Sequence, residues 1–99
     1  ARVIFQKIID TAKEATLAEN LRTMRETIDK FYGDTGRYPS SLNELVEKKY
    51  LRMLPVDPLT ESATTWITVP PDDSAQGDVY NIQSGAPGHR RDGTPFAAL

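Results

Sequence analysis

Apolar side chains recur at helical spacing through the first third of the chain. Between Val3 and Tyr32 there is no proline or glycine, and Gly33 is the first break. From residue 17 onward the apolar positions step by four and three, so they share one face of a helix: Leu17, Leu21, Met24, Ile28 and Phe31. The pattern predicts one long helix over residues 1–33, roughly 45 Å in length at about 1.5 Å per residue.

The two halves of this helix have different predicted roles. The stripe from Leu17 onward is expected to pack on the chain's own sheet, while charged neighbours such as Arg22, Arg25 and Glu26 form a solvated face. The earlier apolar residues have less of the chain left to cover them, which favours contact with other copies or with a membrane surface: Ile4, Phe5, Ile8 and Ile9. The chain also opens in mid-helix without an N-cap, so we expect that a preceding helical segment has been removed.

The middle of the chain predicts a loop, a short helix and a turn over residues 34–60. Ser41 and Glu44 have the spacing of a capping box, although Ser40 could cap instead. The buried stripe of this short helix is predicted to contain Leu42, Leu45, Val46 and Leu51. Pro55 and Pro58 then exclude regular helix, because each proline removes a backbone donor and fixes its own backbone.

The last part of the chain predicts an antiparallel pair of strands and a closing loop over residues 61–99. Thr64–Val69 is β-branched and aromatic, and Asp78–Gln83 alternates in polarity. The segment between them is too short for a crossover helix, so the strands should be antiparallel. Trp66 and Tyr80 are expected to join the stripe in the core, and Phe96 to anchor the loop. The predicted fold class is therefore α+β, a single domain over residues 1–99.

Composition narrows the function classes. The chain has 99 residues, a net charge of −2, 38% hydrophobic residues and no cysteine. This charge provides no field that would recruit nucleic acid. Disulfides, thiolate metal sites and cysteine nucleophiles are excluded, and no apolar run approaches the roughly 20 residues that span a bilayer.

The residues offer little catalytic chemistry. His89 lies in a Gly/Pro-rich loop with only Asp92 as a neighbouring acid, so an exposed histidine is favoured over a general base. The run 85–91 lacks the Gly-Lys-Ser/Thr ending of a phosphate loop, and Pro87 has no N–H to donate. Asp72 and Asp73 could touch a cation, but adjacent acids in a turn are usually solvated. We expect no catalytic residue and no cofactor site, and hence no enzyme.

Three runs of residues resemble the type IV pilin-like proteins, most closely the major pseudopilins of type II secretion systems. The first passes from Phe31-Tyr32 through Asp34-Thr35-Gly36-Arg37-Tyr38-Pro39 into the serine-capped helix. The second is Tyr50-Leu51-Arg52-Met53-Leu54-Pro55-Val56-Asp57-Pro58. The third is Asp78-Val79-Tyr80-Asn81-Ile82-Gln83-Ser84-Gly85-Ala86, followed by Asp92-Gly93-Thr94-Pro95. Together the resemblance covers about residues 12–95.

The resemblance implies a pilin-like fold and a structural role. Members of this family are anchored in the bacterial inner membrane by a helical rod that carries a small periplasmic domain. Their subunits polymerise through the rod into a short filament, alongside other pseudopilins and inner-membrane secretion components, and a cytoplasmic ATPase drives the assembly. For this chain we expect Ile4, Phe5, Ile8 and Ile9 to lie at the filament interface. Without the family's apolar half-helix, the chain as given is expected to be monomeric.

The closing loop departs from the family pattern at the residues that would bind calcium. Major pseudopilins commonly bind calcium in the closing loop, but the acidic run that follows Asp92 in the family is replaced here by Thr94-Pro95-Phe96. Calcium needs about 6–8 oxygen ligands, so we favour no metal and keep Asp92 as a weak calcium candidate.

The alternative function is a type IV pilin or minor pilin that acts as a binding or adhesion module through its closing loop, residues 84–92.

Overall fold

The chain folds as an α+β structure around one long helix. The computed structural model describes residues 2–73, 76–90 and 93–99, and residues 2–11 by their backbone alone. The elements are α1 (Arg2–Thr35), α2 (Leu42–Glu47), β1 (Ile67–Val69), β2 (Asn81–Gln83) and a closing 3₁₀ turn (Phe96–Ala98). The 34 residues of α1 rise about 51 Å in total at about 1.5 Å each. Since the longest dimension of the molecule is 51 Å, α1 runs the whole length of the fold.

The end of α1 lies beyond the predicted break. Gly33 is inside the helix, and α1 continues to Thr35. Gly36 then adopts a φ of +79°, and its N–H donates to the carbonyl of Tyr32 at 2.8 Å. This is a helix end of the left-handed type, which glycine adopts without the strain of a Cβ. The expectation that Gly33 ends the helix was wrong because a single glycine weakens a helix without stopping it.

The core lies between the second half of α1, α2 and the sheet. The five stripe residues from Leu17 to Phe31 are buried, which is where their spacing predicts them. They pack with buried side chains from the rest of the fold: Leu42, Leu45, Trp66, Val79 and Ile82. The described residues of α1 before the stripe, 12–16, are exposed or half-buried. No helix among the described residues is long and apolar enough to cross a membrane.

Tyr80 does not belong to this core, contrary to expectation. Its side chain is 51% exposed, whereas the nearby Val79 and Ile82 are buried. The N–H groups of Asp78 and Val79 both donate to the carbonyl of Pro39, at 3.1 and 3.0 Å. The chain therefore bends before β2 begins at Asn81, and the inward–outward alternation of the strand does not extend back to Tyr80.

The sheet is antiparallel, as predicted, but each strand is shorter than its sequence pattern. β1 pairs with β2 in the register Ile67↔Gln83, Thr68↔Ile82 and Val69↔Asn81. The residues before β1 bond locally instead, with the hydroxyls of Thr60 and Thr65 2.6 Å apart. Hydroxyl side chains offer the backbone such alternatives to a strand ladder, which shortens strands rich in threonine and serine.

Candidate functional site

Arg25 on α1 forms hydrogen bonds with both β2 and the residue that follows the closing turn. Its Nε donates to Oδ1 of Asn81 at 2.9 Å, and its Nη2 donates to the carbonyl of Ile82 at 2.8 Å. The same Nη2 also donates to the carbonyl of Leu99. The expectation that Arg25 belongs to the solvated face was therefore wrong for this residue. Its position directly after buried Met24, at the edge of the stripe, is the signal that could have identified it.

A buried carboxylate joins the proline turn to the end of β2. Asp57 and Ser84 are both fully buried. One oxygen of Asp57 accepts from Oγ of Ser84 at 2.5 Å, and the other accepts from the N–H of Leu59 at 2.8 Å. Oγ of Ser84 in turn accepts from the N–H of Ala86 at 3.0 Å. Because both side chains are bonded within the fold, the pair serves structure and offers no reactive group to a substrate.

An ion pair holds α2 against the end of α1. The guanidinium of Arg37 binds both carboxylate oxygens of Glu44, at 2.9 and 3.0 Å, and lies 5.0 Å from the ring centroid of Phe31. Glu44 also accepts from the N–H of Ser40 at 2.9 Å. Arg37 foremost, with the Ser40 N–H, lowers the pKa of Glu44 to about 2. Ser41 caps α2 by accepting from the N–H of Glu44 at 3.2 Å, as the capping-box spacing predicts.

Tyr50, which follows α2 in the chain, also contacts the end of α1. Its hydroxyl donates to Asp34 at 2.8 Å, and its ring packs edge-on against Phe31 at 5.2 Å. The hydrogen bond to the Asp34 carboxylate raises the pKa of the Tyr50 hydroxyl, with partial burial adding to the effect. Both groups are tied to structural partners, so neither is poised for proton transfer.

Three tyrosines form an aromatic surface at the end of α1. Tyr38 stacks on Tyr32 with 4.4 Å between ring centroids and meets Tyr80 edge-on at 5.3 Å. Partial burial is the main cause that raises the pKa of Tyr38. The backbone approaches closely here: a Cβ on Gly77, whose φ is +119°, would lie 2.2 Å from the carbonyl oxygen of Tyr38. Only glycine fits this position, which keeps the following chain against Tyr38.

A groove of about 390 Å³ opens beside these rings. We call it the tyrosine groove and define it by six lining residues: Tyr38, Pro70, Pro71, Asp72, Asp73 and Tyr80. Its sides are aromatic and proline surfaces, and its acids are adjacent in sequence. Asp72 and Asp73 are both exposed. The groove beside them was not predicted.

The closing loop is braced by its own backbone. His89 and Pro95 form an antiparallel bridge, the N–H of Arg90 donates to the carbonyl of Thr94 at 2.7 Å, and the N–H of Phe96 donates to the carbonyl of Gly88 at 3.2 Å. Phe96 is half-buried against the core, where it was expected to anchor the loop. The residues 87–90, which we call the loop tip, are all exposed. Among the described residues, His89 therefore lacks the enclosing pocket that catalysis would require.

The remaining predicted site residues lie outside what the structure describes. The side chains of Ile4, Phe5, Ile8 and Ile9 are outside the described residues, as is Asp92, so the filament interface and the calcium candidate stay predictions. Among the described residues, no three His, Asp or Glu side chains are grouped so that they could hold a metal ion.

Comparison of the chain with protein-family models, with curated proteins and with solved structures finds no match.

Proposed function

We propose that the protein is a non-enzymatic structural subunit with a pilin-like fold, which assembles through α1 into a periplasmic filament of the type II secretion kind. The single observation that carries the proposal is the relation of α1 to the rest of the fold. The helix is as long as the whole molecule, yet the first buried side chain that the structure describes on it is Leu17.

The contacts around α1 fit a rigid subunit. Its second half is held by three contacts along its length: Arg25 binds β2 and the closing turn, Asn20 Nδ2 donates to the carbonyl of Val56 at 3.0 Å, and Tyr50 binds Asp34. A load applied along the helix would therefore pass directly into the sheet. The candidate reactive side chains are either bound to structural partners, as are Asp57 and Glu44, or exposed, as is His89. This supports a mechanical role over a chemical one.

The proposal is tested in the bacterium that carries the gene. An in-frame deletion should stop the release of folded exoproteins into the medium and leave surface attachment intact. The sequence contains no cysteine, so cysteines introduced at Ile8 and Thr16 of the protein expressed in that bacterium should cross-link neighbouring subunits into a ladder of oligomers. Cysteines at Asn43 and Arg52, which are exposed and lie outside α1, are the matched control and should give no ladder.

Two results would decide against this function. Normal secretion in the deletion strain, together with no α1 ladder, contradicts the secretion filament. Loss of surface attachment with intact secretion favours instead the second candidate, a minor pilin that binds through its closing loop. The observation behind that candidate is the exposed loop tip, which is held in one shape by the bonds of Arg90 and Phe96 to Thr94 and Gly88.

A further inference from the structure

We propose that the tyrosine groove of one molecule receives the loop tip of a second copy of the chain, in a head-to-tail contact. The groove has an acidic rim formed by Asp72 and Asp73, and the loop tip carries the cation Arg90 together with Pro87. This inference rests on the proposed function, because a filament is where copies of the chain lie side by side in one direction. The inference adds to that function the two surfaces of the small domain that are in contact between neighbouring copies.

The groove residue Tyr80 precedes β2 and the loop tip follows it, and contacts with α1 give the direction of this strand. At one end, Tyr80 packs on Tyr38, which stacks on Tyr32 in the last turn of α1. Moving along the chain, Ile82 is bonded to Arg25. Ser84 then reaches Asp57, whose neighbour Val56 is bonded to Asn20. The chain through β2 therefore runs antiparallel to α1, away from the level of Tyr32 and towards that of Asn20.

This arrangement makes the contact intermolecular. The groove lies before the start of β2, and the loop tip follows its end. The bonds of Gly88 and Arg90 to Phe96 and Thr94 hold the tip on the closing turn, whose Leu99 carbonyl is bonded to Arg25. Within one molecule the tip cannot fold back onto the groove without breaking this bracing. A second copy shifted along the direction of α1 brings its own tip to the groove, and the same contact can repeat without closing into a ring.

The chemistry of the two surfaces is complementary. Opposite charges at a solvent-exposed rim steer association and set its direction more than they increase its affinity. Pro87 has a rigid apolar ring that suits the proline and tyrosine walls of the groove, and Gly88 has no side chain to obstruct the approach. Arg90 is exposed at the end of the tip, so its charge is accessible to a neighbouring molecule. We expect a weak contact of this kind, with a dissociation constant in the millimolar range.

The test uses charge reversal and nuclear magnetic resonance. The ¹⁵N-labelled chain is measured over a series of concentrations from micromolar to millimolar. We expect the amide signals of Val69 and Tyr80 and those of Gly88 and His89 to shift together as the concentration rises. The shifts should disappear in Arg90→Glu, whose tip repels the groove, and in the double variant Asp72→Lys, Asp73→Lys, whose groove repels the tip. An equal mixture of the two variants restores a complementary pair of surfaces, so the shifts should return.

Two controls distinguish this contact from nonspecific association. Arg52→Glu makes the same change of charge at an exposed position away from both surfaces, and it should leave the shifts unchanged. Raising the salt to about 1 M shortens the Debye length to about 3 Å and should weaken the shifts of the unmodified chain at least several-fold. This salt series needs no variant, so it decides the question even if a charge reversal disturbs folding.

Each outcome of the titration has a distinct meaning. Shifts that are absent at millimolar concentration, that fall on other residues, or that survive Arg90→Glu overturn the head-to-tail contact, including the case in which the groove binds a different partner. The measurement depends on neither filaments nor secretion. A negative titration with a positive α1 ladder therefore rejects this contact alone, and a positive titration with normal secretion in the deletion strain rejects the proposed function alone.

Discussion

At the scale of single residues, the buried pair of Asp57 and Ser84 has the largest expected effect on stability. Hydrogen bonds to a charged group contribute roughly 1.5–3 kcal/mol each, and a buried donor left without a partner costs about 1–3 kcal/mol. Because Asp57 is fully buried and accepts two bonds, Asp57→Ala should lower the free energy of unfolding by about 2–4 kcal/mol. Urea denaturation measures this, with exposed Asp78→Ala as the control.

Ser84→Ala separates the contribution of the pair from that of the surrounding turn. If the two side chains act together, the double variant should be less destabilised than the sum of the single variants. Additive losses would show that Asp57 acts through its bond to the N–H of Leu59 instead.

Glu44 should make the stability depend on pH in acid. Its pKa is lowered to about 2 from an ordinary value of 4.5, chiefly by Arg37. A carboxylate with a lowered pKa in the folded state stabilises the fold above its unfolded pKa, and this stabilisation is lost as the pH falls from about 4.5 towards 2. Arg37 is 43% exposed, so solvent screens the pair, and we expect a loss of only about 1 kcal/mol. Glu44→Gln should remove this part of the pH profile of urea unfolding.

The control for that profile is Glu47→Gln, which changes an exposed carboxylate on the same short helix. An identical acid profile in the unmodified protein and in Glu44→Gln would mean that the ion pair does not persist in solution.

Whether a side-chain contact could be predicted from the sequence depends on how far apart its two residues are in the chain. The capping of α2 by Ser41 could be predicted because the partner, Glu44, is three positions away and the spacing is itself the signal. The bonds of Arg25 to β2 and of Asp57 to Ser84 join residues separated by 57 and 27 positions. Nothing local marks such pairs, since which polar residue meets which is decided only when the elements pack.

At the scale of elements, alanine substitutions at the two glycines near the end of α1 should change the stability of the protein in opposite directions. Gly33 is helical, and an added Cβ would meet nothing within 4 Å. Gly33→Ala should therefore stabilise the protein by about 0.5–1 kcal/mol. Gly36 also has open space but a φ of +79°, so Gly36→Ala should destabilise it by about 1–2 kcal/mol. Thermal midpoints measure both, and equal effects of the same sign would contradict the position of the helix end.

The buried stripe of α1 should respond strongly to truncation. Ile28 is fully buried in the middle of the stripe, and its truncation leaves a cavity between α1 and the sheet. Ile28→Ala should cost about 2–5 kcal/mol, while Lys30→Ala on the exposed face should change the free energy of unfolding by about 0.5 kcal/mol or less. Urea unfolding that does not distinguish the two variants would show that the stripe packs on a partner or faces solvent.

The helices and strands differ in how far the sequence predicted them. The periodicity of α1 extends over many turns, so its existence and buried face could be derived from Leu17 onward. The positions of the two strands could be predicted from the sequence, but their first and last residues could not. Thr64 and Thr65 favour β structure, yet their hydroxyls bond to Ser62 and Thr60. Tyr80 fits the alternation of β2, but the bonds of the preceding residues to Pro39 turn it outward. Tertiary contacts decided both boundaries.

At the scale of the whole molecule, few large apolar side chains are exposed among the described residues. They lie on two parts of the chain, Met53 with Val56 beside the proline turn and Ile67 with Tyr80 at the sheet. Two small groups of exposed apolar side chains fall well short of a stable interface, which buries about 1,200–2,000 Å² in total. The tyrosine groove and the loop tip are small and charged, which suits a contact that forms only when copies are already held close together.

The chain should therefore sediment as a monomer of 11.0 kDa at micromolar concentration. Its dimensions of 51 × 27 × 19 Å are those of an elongated particle, so its sedimentation coefficient should be lower than that of a compact sphere of equal mass. Analytical ultracentrifugation measures both properties in one experiment. A tight oligomer would contradict the prediction and would direct attention to the first turns of α1. In that case Ile8→Glu should dissociate it, whereas Arg90→Glu should not, because the head-to-tail contact is too weak to hold copies together at that concentration.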